Sequence, residues 1–190
     1  MRISGGEWCG RKLKVPAGDA VRPTQDRVRE ALFSMLMQCV PDARFLDLFA
    51  GSGAVGLEAL SRGARDATWV EQSNKHVAIL KENKALLTPE LGEIVCADTM
   101  RWVRGPGCGR RYDIVFADPP YEWAREQGLT ELMTALCAGN VIAERGFFVA
   151  ETAEDTPAEE VAGWTLLRDR TYGHTRLALY RRNAEQNKVE

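Results

Sequence analysis

The twelve residues from Phe45 to Gly56, FLDLFAGSGAVG, constrain this chain more than any other stretch. A short apolar run stops at glycines 51 and 53, then resumes with helical spacing. Such a pattern is a buried strand, a tight turn and a helix. Glycines at that turn let a ligand approach the backbone and open a helix whose amino terminus faces it. Gly51, Gly53 and Gly56 also fit G-x-G-x-x-G, usually read as dinucleotide binding. The glycines by themselves leave the ligand open between NAD and some other adenosine compound.

The same alternation continues along the chain. Val28, Ala31, Leu32, Met35, Leu36 and Cys39 recur at helical spacing, with Thr24 placed as N-cap and Pro41 as terminator. Strands are expected at 45–49, 67–71, 93–97, 112–117 and 146–151, with helices over 54–62, over 74–87 capped by Asn74, and within 129–143. Two final strands, 165–168 and 176–180, have no clear helix between them and suggest an antiparallel hairpin. This order predicts an α/β domain with a mainly parallel sheet. Residues 1–20 read as a small β-hairpin or arm, 21–182 as the main domain, and 183–190 as a polar, frayed tail.

Composition limits the function classes. The chain has 190 residues, 45% apolar and 27% charged, enough for one domain with a real core. Its five cysteines form no C-x-x-C pair and only two histidines exist, so neither a disulfide framework nor a metal site is expected. The start, MRISGGEW, lacks an apolar signal core, and no uncharged run approaches the roughly 18 residues of a membrane span. A cytoplasmic location is therefore expected. Net charge is only −2, but it is unevenly spread. Residues 1–29 hold seven basic groups against three acidic, residues 101–111 hold four arginines and no acid, and residues 122–160 hold nine acids against two arginines. Such polarity predicts a cationic face suited to nucleic acid and a separate anionic face.

In parallel α/β sheets ligands bind at the carboxyl ends of the strands. The second strand ends in Glu71, twenty residues past Gly51, where a carboxylate can accept from ribose hydroxyls. The third ends in Asp98, which either accepts from an adenine amine or caps the helix that starts at Thr99. The fourth ends in Asp118-Pro119-Pro120-Tyr121. Two prolines cannot continue a sheet; they hold Asp118 and the Pro119 carbonyl in a rigid, acceptor-rich turn beside an aromatic ring. A nicotinamide enzyme has no use for such a turn. An enzyme that grips a planar amine does: two acceptors for two N–H bonds and a face for stacking.

This constellation resembles the class I S-adenosylmethionine (SAM)-dependent methyltransferases, and the D-P-P-Y turn resembles those that methylate exocyclic or amide nitrogens. Longer stretches narrow the match. RISGGEWCGRKLKVP, RPTQDRVREALFSML, FLDLFAGSGAVGLEALSRGA, DIVFADPPY and YGHTRLALY together resemble the bacterial RsmD family, guanine-N2 methyltransferases of 16S rRNA. The resemblance implies a Rossmann-like seven-stranded sheet, mainly parallel with an antiparallel C-terminal strand. It implies SAM held by Asp47, Phe49, Ala50, Gly51, Ser52, Gly53, Glu71, Gln72, Asp98 and Thr99. It implies a target base held by Asp118, Pro119, Pro120 and Tyr121. Small-subunit rRNA, free or within the subunit or its precursor, is the implied partner. Arg11, Lys12, Arg22, Thr24, Arg27 and Arg29 are its implied contacts, and a monomer without metal the implied form. Four other readings compete: a DNA adenine-N6 methyltransferase, for which the chain has no room for a recognition insertion; a protein-glutamine methyltransferase, which typically has Asn where Asp118 stands; an NAD oxidoreductase; and a catalytically silent RNA-binding assembly factor. His174 and the 105–109 loop receive no role.

Overall fold

The computed structural model describes residues 1–16, 23–126 and 128–184, with backbone alone at 23–25, 121 and 125–126. Its centre is a seven-stranded sheet ordered β3-β2-β1-β4-β5-β7-β6. The strands are β1 (Arg44–Leu48), β2 (Asp66–Glu71), β3 (Glu93–Cys96), β4 (Tyr112–Ala117), β5 (Ile142–Ala153), β6 (Trp164–Tyr172) and β7 (Thr175–Arg182). β1 to β5 pair in parallel, and β7 runs antiparallel to both β5 and β6. The mainly parallel sheet with an antiparallel terminal strand is therefore as expected. Chain order reverses between β1 and β4, and that junction is the topological switch point where such sheets bind ligands.

The pleat sorts side chains between two apolar layers. Phe45, Trp69, Phe116 and Val149 face one cluster, shared with α1 (Pro23–Leu36), α2 (Ala54–Ser61) and α3 (Asn74–Leu87). Leu46, Val70, Val115 and Phe148 face the other, shared with α4 (Thr99–Val103) and α6 (Leu129–Ala138). β1 and β4 are apolar almost throughout because both faces are covered.

Several local expectations are corrected. α1 starts at Pro23, so Thr24 lies inside its first turn rather than before it, and the helix ends at Leu36, well before Pro41. Proline suits the first helical position, where its missing N–H is no loss. Ser73, not Asn74, caps α3, its side chain accepting from His76 N–H at 3.4 Å. β5 starts at Ile142, inside the span expected to hold helix. The prolines of the D-P-P-Y turn do more than stop β4: they start α5 (Tyr121–Glu126), with Ala124 N–H donating to Pro120 C=O at 3.0 Å.

The amino-terminal segment folds back on itself through an antiparallel bridge, Arg2 to Lys12, flanked by Leu13 N–H donating to Met1 C=O and Ile3 N–H donating to Arg11 C=O, each at 3.0 Å. It is also bound tightly to the rest of the chain. Ile3 and Leu13 are buried in the core, and Glu7 N–H donates to Ser61 C=O at 2.7 Å. Asn83 on α3, fully buried, accepts from Lys14 N–H at 2.8 Å and donates to the carbonyls of Lys14 and Ser52, each at 3.0 Å.

One carboxylate unites the segment with two helices. Glu58 of α2 has no exposed surface, and it accepts from Arg29 Nε at 2.5 Å, from Arg62 Nη2 at 2.7 Å and from both the N–H and the hydroxyl of Ser4. Arg29, itself 4% exposed, also donates to Asp26 and to Arg2 C=O. Removing one partner of such a buried pair strands the others. Glu58→Ala should therefore lower unfolding stability by about 3–5 kcal/mol, read from the urea midpoint. A loss below about 1 kcal/mol, the range of exposed pairs, would show that the cluster is not structural.

Candidate active site

The carboxyl edge of the sheet carries acids on a single face. Asp47 on β1 and Glu71 on β2 alternate with Phe45 and Trp69 toward the α1–α3 side. Asp118 follows Phe116 on β4 with the same period. Asp47 and Asp118 border a solvent-open cleft of about 200 Å³, lined from the expected set by Asp47, Phe49, Ala50, Gly51, Ser52 and Asp118 but not by Glu71. Met1, Val15 and Pro16 of the amino-terminal segment, with Arg29, His76 and Glu151, complete the walls.

The turn after β1 is shaped for a ligand. Phe49 has φ 60°, unusual for a residue with a side chain, and its ring meets Trp123 edge-on at 4.9 Å. Strain of this kind gathers at functional sites. Gly51 has φ 53° and nothing within 4 Å of where a Cβ would stand, so its backbone borders open space. Gly53, with φ 78°, serves the protein instead: a Cβ there would lie 1.9 Å from Leu80 Cδ1, and its carbonyl accepts from Trp69 Nε1 at 3.2 Å. Asp47 holds the start of α2, accepting from Gly56 N–H at 2.9 Å. Glu71 accepts from Gly51 N–H at 2.8 Å and from Ser73 N–H at 2.7 Å. Two backbone donors thus fix that carboxylate and leave further lone pairs for a ligand.

Electrostatics separates the candidate ligands. Burial pushes the Asp47 carboxyl well above the usual carboxylate range, and the charges of Asp118 and Glu71 add to the rise. Asp118 keeps solvent access through the cleft but is hemmed in by protein on its other sides, and this desolvation raises it to about 6. Glu151 is raised as well, by burial first and by Asp118 second. A dinucleotide pyrophosphate would push these carboxyls further toward their neutral forms. A ligand with a sulfonium and an ammonium would favour their ionised forms and be held by them.

The remaining expected residues divide. Glu71 supports the loop from behind. Gln72 is exposed, and Asp98, also exposed, caps α4 by accepting from Arg101 N–H at 2.8 Å, so of its two readings the cap is the one seen. Thr99 is buried in the first turn of α4. Pro119 is buried, and its carbonyl accepts no hydrogen bond among the described residues. The Tyr121 and Thr24 side chains and all of Arg22 lie outside the described residues. Arg11, Lys12 and Arg27 are exposed, without ion pairs among the described residues. Arg29 is buried and paired with Glu58 and Asp26, so its place is in the cleft wall rather than on an exposed surface where RNA phosphates would lie. The basic and acidic stretches meet at one point, where Arg104 pairs with Glu131 at 2.6 Å. Arg110 pairs with Glu93.

Sequence reasoning missed Glu151, His76 and the cleft-lining role of Val15 and Pro16. The rule applied to the other strand ends would have found Glu151. The other three depend on tertiary placement and leave no local signal.

The sheet order, the glycine turn at the switch point and the D-P-P-Y turn beside it define the fold of the SAM-dependent methyltransferases. A solved structure titled "A putative sam-dependent methyltransferase from Streptococcus mutans" shares that fold at a TM-score of 0.67 and 16% identity, covering 85% of this chain and 49% of its own. The chain belongs to the RsmD family, whose model, described as "Conserved hypothetical protein 95", matches residues 1–181. "Ribosomal RNA small subunit methyltransferase D" of Escherichia coli is 39% identical over 97% of this chain and 91% of its own length. The Haemophilus influenzae protein of the same name is 35% identical over 95% and 93%. A solved structure, "Putative methyltransferase yhhF from Escherichia coli", superposes with TM-score 0.86 at 39% identity, covering 97% of this chain and 99% of that one.

The raised acids carry a stability cost with a definite sign. In the folded protein Asp118 holds its proton up to about pH 6, whereas an unfolded aspartate has released it by about pH 4. Stability of the ligand-free protein therefore falls as pH rises through that window. Asp118→Asn should melt above the wild type at pH 7.5, with the difference shrinking toward pH 4. A variant melting below the wild type at pH 7.5 would mean that Asp118 is stabilised by a partner.

Proposed function

We propose that this chain transfers a methyl group from SAM to the exocyclic N2 of a guanine in 16S rRNA of the small ribosomal subunit. The observation that carries the reading is a pair of acceptors without hydrogen bonds among the described residues, the Asp118 carboxylate and the Pro119 carbonyl, at the edge of a cleft lined by acids. The names of the Escherichia coli and Haemophilus influenzae relatives support the substrate class.

SAM, when bound, supplies an electrophilic methyl on a cationic sulfur and leaves as S-adenosylhomocysteine. The residues present fit it. Gly51 offers an open backbone, Asp47 offers a carboxyl on the cleft wall, and Glu71 offers a carboxylate fixed by two backbone donors for ribose hydroxyls. The chain's own work is on the amine. The guanine N2 lone pair is delocalised into the ring, so the nitrogen is a poor nucleophile. Asp118 and the Pro119 carbonyl accept its two hydrogens and turn the lone pair out of the ring plane. Holding reactants in line can supply up to roughly 7–11 kcal/mol of the barrier in favourable systems. Asp118 takes one N2 proton late, when the amine has become cationic; its raised affinity for a proton suits that role. A target base must leave its stack to reach this turn, and Tyr121 is positioned by sequence to replace that stacking, worth about 1–3 kcal/mol per base. Arg11, Lys12 and Arg27, all exposed, hold the RNA backbone.

Labelled SAM offered with hypomethylated small subunits, stripped rRNA or duplex DNA tests the reading directly. N2-methylguanosine in an RNA acceptor is expected; N6-methyladenine from DNA would replace the substrate assignment. Asp118→Ala should lose transfer by at least 100-fold while binding SAM within threefold of wild type, and wild-type turnover would remove Asp118 from the chemistry. Changing Arg11, Lys12 and Arg27 together to Gln should flatten the log Kd against log salt slope by roughly two units, at about 0.7–0.9 for each phosphate no longer neutralised. An unchanged slope would place the RNA elsewhere.

A further inference from the structure

The parallel register sets a second carboxylate beside Asp118. Ala117 on β4 pairs with Ala150 on β5, so the next residues, Asp118 and Glu151, leave neighbouring strands side by side. Two residues earlier, Phe116 and Val149 share one apolar layer, and the strand period sends Asp118 and Glu151 to that same face. Both line the cleft, and both line a second cavity that Pro119 borders, with Thr152 and Thr175. Neither accepts a hydrogen bond among the described residues. The other acids of this face are satisfied, Asp47 by Gly56 and Glu71 by Gly51 and Ser73. Two partly desolvated carboxylates that repel each other are costly unless a ligand brings donors to both.

We propose that Glu151 selects guanine by accepting its N1–H while Asp118 holds the adjacent N2 amine. The proposal rests on the guanine-N2 reading above. Among the four bases only guanine carries a ring N–H beside an exocyclic amine. Adenine and cytosine present a ring lone pair at that position, which would face the Glu151 carboxylate. Uracil has the N–H but no amine. A D-P-P-Y turn alone grips any planar amine; the β5 carboxylate next to it makes the grip specific. Donation from N1–H to a carboxylate also leaves electron density in the ring and makes N2 a better nucleophile. Burial and Asp118 raise the Glu151 carboxyl and the charge of Arg29 only partly opposes them, so it is the N1–H donor of a bound guanine that favours the ionised acceptor.

The test compares small-subunit rRNA carrying guanine or 2-aminopurine at the methylated position. 2-Aminopurine keeps the amine but has a lone pair at N1. Wild type should prefer guanine by 100-fold or more in kcat/KM, since a site built around a donor rejects the analogue lacking it. In Glu151→Gln, whose amide can donate to that lone pair, the preference should fall below tenfold while SAM affinity stays within threefold. Wild-type indifference between the two bases, or an undiminished preference in Glu151→Gln, would overturn the proposal. Should Glu151→Gln fold too poorly to bind SAM, Glu151→Asp takes its place. It keeps the acceptor charge one methylene further back, so retained preference at a reduced rate supports the proposal and lost preference overturns it. Wild type that methylates no guanine at N2 would instead bring down the underlying reading, and that arm involves no variant.

Discussion

The buried carboxylate of Glu58 is the tie on which the architecture of this protein turns. A charge with no exposed surface is tolerated only when its lone pairs are filled, and here the donors come from three places in the sequence: Ser4, Arg29 and Arg62. The consequence is geometric. α1, α2 and the amino-terminal segment are held in one arrangement, and that arrangement walls the cleft above the β1–β4 switch point. The glycine turn and the D-P-P-Y turn are positioned by the sheet; the side of the cleft that faces them is positioned by this ion cluster.

Charge also divides labour within the site. Glu71 and Asp47 are acids whose bonds to backbone N–H groups shape the glycine turn. Asp118 and Glu151 are acids left without such bonds among the described residues. The first pair builds the site, although the burial of Asp47 outweighs what its bond to Gly56 returns. The second pair is held at some cost to the ligand-free protein, which is the usual signature of groups reserved for binding or chemistry.

Much of this was legible in the sequence because the signals are local. FLDLFAGSGAVG announces strand, turn and helix within twelve residues, and D-P-P-Y announces a rigid acceptor turn within four. Strand alternation gave the sheet and its antiparallel end. What was not legible depends on partners distant in sequence. Arg29 reads as one more cation in a basic segment, yet it is consumed by Glu58, twenty-nine residues away. Arg104 and Glu131 read as members of opposite charge blocks, yet they meet. Glu151 sits among nine acids in a stretch that looks merely solvated, and only the β4–β5 register singles it out. Pro119 and Pro120 announce the end of a strand; that they also begin a helix depends on how the chain turns over the sheet edge.

Asn83 gives the amino-terminal segment a standing that an appended arm does not have. One buried amide is shared between Lys14 on the segment and the Ser52 carbonyl of the glycine turn. The two cannot be separated without leaving part of that amide unsatisfied, and the segment also supplies two core side chains, Ile3 and Leu13. It is therefore not a cassette that could be trimmed off or exchanged between relatives by cutting at a boundary. A graft of new specificity onto this scaffold would have to carry Asn83 and the segment together, as one inherited unit.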